Sequence, residues 1–134
     1  MKHIILLATF VVAAFVATGA VAQEEPQSLK VYFDTGSARP APDQAPVLDR
    51  AARLFREGSP FVMILSGGAD TVGVAERNLD LSLDRARAVA DALVARGIPV
   101  GRLQVLGRGN SELAVPTDDG VSNAENRVVE ITWR

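Results

Sequence analysis

Residues 61–97 read FVMILSGGADTVGVAERNLDLSLDRARAVADALVARG, and they decide the fold. Phe61 to Leu65 is a continuous apolar run of strand length, closed by Ser66-Gly67-Gly68, and it reads as a buried central strand. Ala69 to Gly73 is a loop. A long helix follows over about Val74 to Arg96, stopped by Gly97 and Pro99. At about 100° per residue, Leu79, Leu83, Ala86, Val89, Ala90 and Leu93 fall into one stripe, the expected core face. Asn78, Ser82 and Arg85 are spaced i, i+4, i+7 along one flank, at the border of that stripe.

On the N-terminal side, Leu29 to Phe33 is aromatic and β-branched enough for a first strand, broken by Gly36 and the proline-rich stretch Pro40 to Pro46. From Val47, apolar positions 47, 48, 51, 52, 54 and 55 oppose Asp49, Arg50, Arg53 and Arg56, the pattern of an amphipathic helix that Gly58-Ser59-Pro60 ends. On the C-terminal side, Leu103 to Leu106 reads as a third strand. A polar, Gly-containing loop then runs to about Asn126, and Val128 to Trp133 is the last strand. The order β-α-β-α-β-β argues for an α/β two-layer sandwich, with two helices packed on one face of a small mixed sheet.

The first 22 residues are set apart by a different pattern. Lys2, the apolar run Ile4 to Val16 and the small-residue site Ala20-Val21-Ala22 have the layout of a secretory signal peptide, with Gln23 the expected mature N-terminus. The alternative is an uncleaved anchor, although the run is short for a span of roughly 20 apolar residues. Either way the rest of the chain is exported, and no integral span is expected after cleavage. Residues 23–28 form a short polar lead, and 29–134 suit one domain.

Composition removes most catalytic classes. The chain has no cysteine, which excludes disulfides and a lipid attached through a cysteine of its own, and its one histidine, His3, lies in the leader. The mature domain therefore cannot assemble a Ser-His-Asp or Cys-His site, nor a zinc site of His/Cys type. No cofactor or metal is expected. A hydrolase using two carboxylates remains as a rival, but no distinctive motif supports it. Without the leader, 13 basic residues face 16 acidic ones, a net charge of −3, and the twelve arginines are scattered, which does not suggest nucleic acid.

Asp70 falls just beyond a buried strand, where ligands of open α/β sheets tend to bind. An Arg fork binds a carboxylate in bidentate fashion and a carboxylate accepts from an ammonium, so Asp70 beside Arg85 would match a zwitterionic amino-acid head. Spacing alone equally admits a plain ion pair between the two.

The surrounding residues add to this reading. Gly67-Gly68-Ala69-Asp70-Thr71-Val72-Gly73, then Asn78, Leu81-Ser82, Arg85-Ala86 and Val89, resemble without a gap the G-H-T-D-x-x-G…N-x-x-L-S-x-x-R-A-x-x-V signature of the OmpA-like peptidoglycan-binding family. The likeness extends over about residues 29–133, through Val31 to Asp34, Gly97-Ile98, Gly107, Gly109 and Asn126-Arg127. It implies an OmpA-C-like fold that non-covalently holds the diaminopimelate of the peptidoglycan stem peptide, a cell-wall anchoring module of the Gram-negative envelope and not an enzyme. Carried over residue by residue, Asp70 and Arg85 would grip the diaminopimelate head and Asn78 would support them. Asp34 and Arg127 match positions near the pocket. For Asp34 a turn-capping role is the alternative, and for Arg127 a structural ion pair.

The sequence departs from the pattern at Gly68-Ala69, which replace the usual His-Thr, and at Val128, which replaces a second late arginine. The first departure favours a rival reading in which the fold has lost the wall ligand and serves as a structural or protein-interaction domain. The expected location is the periplasm, associated with the outer membrane or the wall, and an envelope protein is the expected partner besides peptidoglycan.

Overall fold

The computed structural model describes residues 27–58 and 62–134. The expected leader, most of the polar lead and Phe61 lie outside the described residues. Four strands and two helices follow in chain order: β1 (Leu29–Tyr32), α1 (Ala45–Gly58), β2 (Met63–Gly67), α2 (Ala75–Val94), β3 (Leu103–Gly107) and β4 (Val128–Trp133). The sheet order is β1-β4-β2-β3. β4 runs antiparallel to both β1 and β2, while β2 and β3 are parallel. A parallel pair needs a crossover, and α2 supplies it. The architecture is therefore the expected mixed α/β sandwich with an open four-stranded sheet and two helices.

Cross-strand register builds the core in rows. Leu29, Ile131, Leu65 and Val105 form one row beneath the helices. Against them pack Leu48, Ala51 and Ala52 of α1, and Ala86, Val89, Ala90 and Leu93 of α2. α1 begins at Ala45, two residues before the periodic pattern, because Pro46 is tolerated in a first turn whose N–H groups have no helical partner. β1 stops at Tyr32, since the chain doubles back and closes the strand's outer edge. Ala41 N–H donates to Tyr32 O (3.1 Å) and Tyr32 N–H to Gln44 Oε1 (3.0 Å), while Phe33 makes one further bridge, to Pro40. At Tyr32 the outer edge is therefore not free to pair with another strand.

Two expectations are corrected by the geometry. β2 is central, but it runs two residues later than Phe61 to Leu65 and only alternate residues are buried, because the helices cover one face of the sheet. The second row of the sheet, Val31, Val129, Gly67 and Gly107, narrows to two glycines beneath α2. A Cβ on Gly67 would stand 1.9 Å from the Ser82 carbonyl oxygen, and one on Gly107 would stand 3.0 Å from Leu83 Cβ. The N-terminal half of α2 thus lies against bare backbone, which leaves no room for leucine.

Leu79, expected in the core, is consequently 50% exposed, with its Cα pressed against Gly109. Asn78, Ser82 and Arg85, expected at the border of the apolar stripe, take the buried side instead. Ser82 accounts for itself there. Its Oγ donates to Leu79 O (2.7 Å) and accepts from Gly109 N–H (2.8 Å), tying α2 to the loop after β3.

Candidate functional site

The site lies where β2 leaves the sheet. Gly68 N–H donates to Val128 O (2.7 Å) and Ala69 N–H to Gly109 O (2.9 Å), so the turn is fixed on both sides before Asp70 is reached. A Cβ on Gly68 would stand 3.1 Å from Asn126 O, tight enough that this carbonyl, just ahead of β4, would have to give slightly. Asp70 itself is 6% exposed. Its Oδ2 accepts from Arg127 Nη1 (3.1 Å) and Ser122 Oγ (3.4 Å), and its Oδ1 from Val72 N–H (3.3 Å).

The ion pair of Asp70 is therefore made with Arg127, not with Arg85. Both members are largely buried, and Arg127 also donates to Phe33 O (3.1 Å) and Ser122 Oγ (3.1 Å). This is the structural pairing admitted for Arg127 from the sequence. The simple Asp70–Arg85 pair admitted from spacing is not formed.

Arg85, 1% exposed, is held differently. Nε donates to Ser37 O (2.8 Å), Nη1 to Gly68 O (3.0 Å) and Nη2 to Asp34 O (3.2 Å). The guanidinium also stacks over Phe33 with its carbon 5.4 Å from the ring centre. Three main-chain carbonyls and a ring face satisfy its geometry, but no carboxylate among the described residues lies within 4 Å to neutralise its charge. Burial accordingly pushes the pKa of Arg85 down to about 10; nearby Asp70 opposes the shift and Arg127 adds to it. The group stays cationic at neutral pH. A lowered folded value means that carrying this charge costs stability at every pH below it, relieved only as pH rises through about 10.

Asp70, Asn78 and Arg85 line one cleft of about 360 Å³, together with Val72, Arg77 and Leu81. Asn78 Nδ2 donates to Val72 O (3.0 Å), fixing the loop that carries Asp70 to the helix that carries Arg85. Asp34 and Arg127 fall elsewhere. They line an adjoining pocket of about 320 Å³ with Tyr32, Asp43, Gln44 and Glu125. The carboxylate of Asp34 is exposed and makes no hydrogen bond among the described residues, while its carbonyl accepts from Ser37 N–H (3.1 Å) and from Arg85. The turn it closes is thus made by its main chain and not by its side chain. Neither Gly68 nor Ala69 lines the cleft.

Two residues of the site were missed by sequence reasoning. Ser122 bridges Asp70 and Arg127, and nothing periodic marks it in its loop. Thr71, although inside the motif, was not singled out. Its buried Oγ1 donates to Asp118 O (2.7 Å) and accepts from Val121 N–H (3.2 Å), while its carbonyl accepts from Gly120 N–H (2.9 Å). Thr71 therefore latches the 117–122 loop beside Asp70. Thr71→Val, which keeps the shape and removes the hydroxyl, is expected to cost about 1–3 kcal/mol in urea unfolding and to open residues 117–122 to proteolysis.

Among the described residues no three His, Cys, Asp or Glu side chains are grouped to hold a metal ion, and no helix is long and apolar enough to cross a membrane. Asp70 and Arg85, an anion and a cation held by separate partners, thus line one cleft with the apolar Val72 and Leu81.

Residues 32–127 match the OmpA family, and the chain belongs to it. Among curated relatives it is 33% identical over 98 residues to a peptidoglycan-associated lipoprotein of Rhizobium meliloti (strain 1021), covering 73% of this chain and 56% of that protein. It is 32% identical over 102 residues to the probable lipoprotein YiaD of Escherichia coli (strain K12), covering 76% and 47%. The chain thus spans about half the length of the curated relatives it matches. Among solved structures, the peptidoglycan-associated lipoprotein from Burkholderia pseudomallei superposes with a TM-score of 0.73 at 25% identity, over 79% of this chain and 90% of that one. The periplasmic domain of Helicobacter pylori MotB shares the fold, with a TM-score of 0.66 at 19% identity over 79% and 74%.

Proposed function

We propose that this domain binds peptidoglycan non-covalently, by taking the zwitterionic head of diaminopimelate into the Asp70–Arg85 cleft. The observation that carries the reading is Arg85: a buried cation held by three carbonyls with no carboxylate partner among the described residues, in the same cleft as Asp70. A ligand carboxylate would supply the missing counter-charge, and a guanidinium prefers that partner. The ligand ammonium would meet Asp70, and the methylene chain of diaminopimelate would lie along Val72 and Leu81. The names of the relatives, peptidoglycan-associated lipoproteins, support peptidoglycan as the target.

On this reading the module makes and breaks no bond. It holds the wall from the periplasmic side, as domain 29–134 of a chain exported by the leader 1–22. One observation favours a second reading, an OmpA fold retained as a protein-interaction domain: Asp70 already accepts from Arg127, Ser122 and Val72. Co-sedimentation with purified sacculi separates the two. The wild type is expected in the pellet, and Asp70→Asn, of unchanged shape, is expected to bind about tenfold more weakly or worse. Equal retention of both proteins would overturn wall binding through this cleft.

A further inference from the structure

The charges around the cleft do not sum to those of a zwitterion. Asp70 is offset by Arg127, which leaves Arg85 and a second cation, Arg77, facing the same space. Arg77 sits in the first turn of α2, where a positive charge opposes the helix dipole, so it does not serve the helix. It is exposed, and its neighbours Glu76 and Asp80 do not engage it: no carboxylate among the described residues lies within 4 Å of its guanidinium. Arg77, Leu81 and Arg85 follow one another at four-residue steps, so the two guanidinium stems rise from points about 12 Å apart along α2. A lone zwitterionic head has one carboxylate for two cations.

We infer that Arg77 is a specificity-determining residue that reads a second carboxylate on the same peptide, so that the cleft selects stem peptides that keep this group free over those in which it is amidated. The inference rests on the wall-binding reading above. A diaminopimelate tripeptide offers the second carboxylate from two sources, the α-carboxyl of the neighbouring γ-linked glutamate and the chain-terminal carboxyl. Arg77 is solvent-exposed, so its contribution is that of a rim ion pair, about two- to fivefold in affinity and declining with salt.

The test is calorimetry at low ionic strength with three synthetic tripeptides: both carboxylates free, the glutamate carboxyl amidated, or the terminal carboxyl amidated. For the wild type, one of the two amides is expected to bind about two- to fivefold more weakly than the free peptide. In Arg77→Gln that ratio is expected to fall to about one, and Arg77→Lys to restore part of it. The amide whose penalty disappears identifies the carboxylate that is read. A ratio that is the same in wild type and Arg77→Gln, or equal wild-type affinity for all three peptides, overturns the role of Arg77 alone. No wild-type binding to any of them overturns the wall-binding reading, and this inference with it.

Discussion

Replacing Arg85 with alanine is expected to abolish ligand binding and to lower the unfolding free energy by roughly 2–5 kcal/mol. Three carbonyls, on Asp34, Ser37 and Gly68, lose a charged donor at once. Hydrogen bonds to charged groups contribute about 1.5–3 kcal/mol each. Against this stands the relief of a desolvated cation, about 3 kcal/mol for a pKa pushed from 12.5 to about 10. The lost bonds win. Two of them, to Asp34 and Ser37, also join α2 to the segment between β1 and α1, so that segment should loosen first. Arg85→Lys keeps the charge, but one ammonium cannot serve three carbonyls in the guanidinium's fork geometry, and an intermediate stability with weak binding is expected. Urea unfolding of both variants is the measurement. A loss below about 1 kcal/mol for the alanine would mean that the three bonds are not sustained in solution.

Gly67→Ala is expected to be the most disruptive glycine-to-alanine change among the described residues. The added Cβ would meet the Ser82 carbonyl oxygen at 1.9 Å and its carbon at 2.8 Å. Both are backbone atoms, so no rotamer change relieves the clash, and α2 must lift from the sheet. Overpacking of this kind costs about 3 kcal/mol or more. Lifting α2 also moves Asn78 and Arg85 relative to Asp70, so ligand affinity should fall along with stability. Gly101→Ala is the control: nothing lies within 4 Å of its Cβ and it needs no positive φ, so a midpoint within error of the wild type is expected. A Gly67→Ala midpoint equal to that of Gly101→Ala would show that α2 does not sit this close.

Most of the architecture was legible because it is written in local patterns. β4 occupies Val128–Trp133 as read from its apolar run, and both helices lie where a 3.6-residue period puts them. The error at Leu79 shows what periodicity cannot see. It reports which side of a helix is apolar, whereas burial in the first turns of α2 is decided by glycines on strands that pair beneath it. The same glycines bring Asn78, Ser82 and Arg85 inside. Likewise, helix geometry placed Arg85 near Asp70, but not the arginine that pairs with Asp70, because Arg127 is 57 residues away in sequence and arrives through the β4 pairing. Ser122 and Thr71 were invisible for a related reason: their bonds run between two loops, and loops carry no period. The motif gave the addresses of the cleft residues. How Arg85 is held, by carbonyls and not by a carboxylate, follows only from the fold.

That difference gives the cleft its chemistry, and it is directly testable. The most direct measurement is a titration of the isotope-labelled protein with a diaminopimelate-containing tripeptide, followed through backbone amide and arginine side-chain resonances. Saturable shifts are expected at the amides of Val72, Gly73 and Asn78 and at the Nε–H of Arg85, with little change at Thr117 to Val121. No shift at millimolar peptide, or shifts confined to residues outside the cleft, would contradict the account.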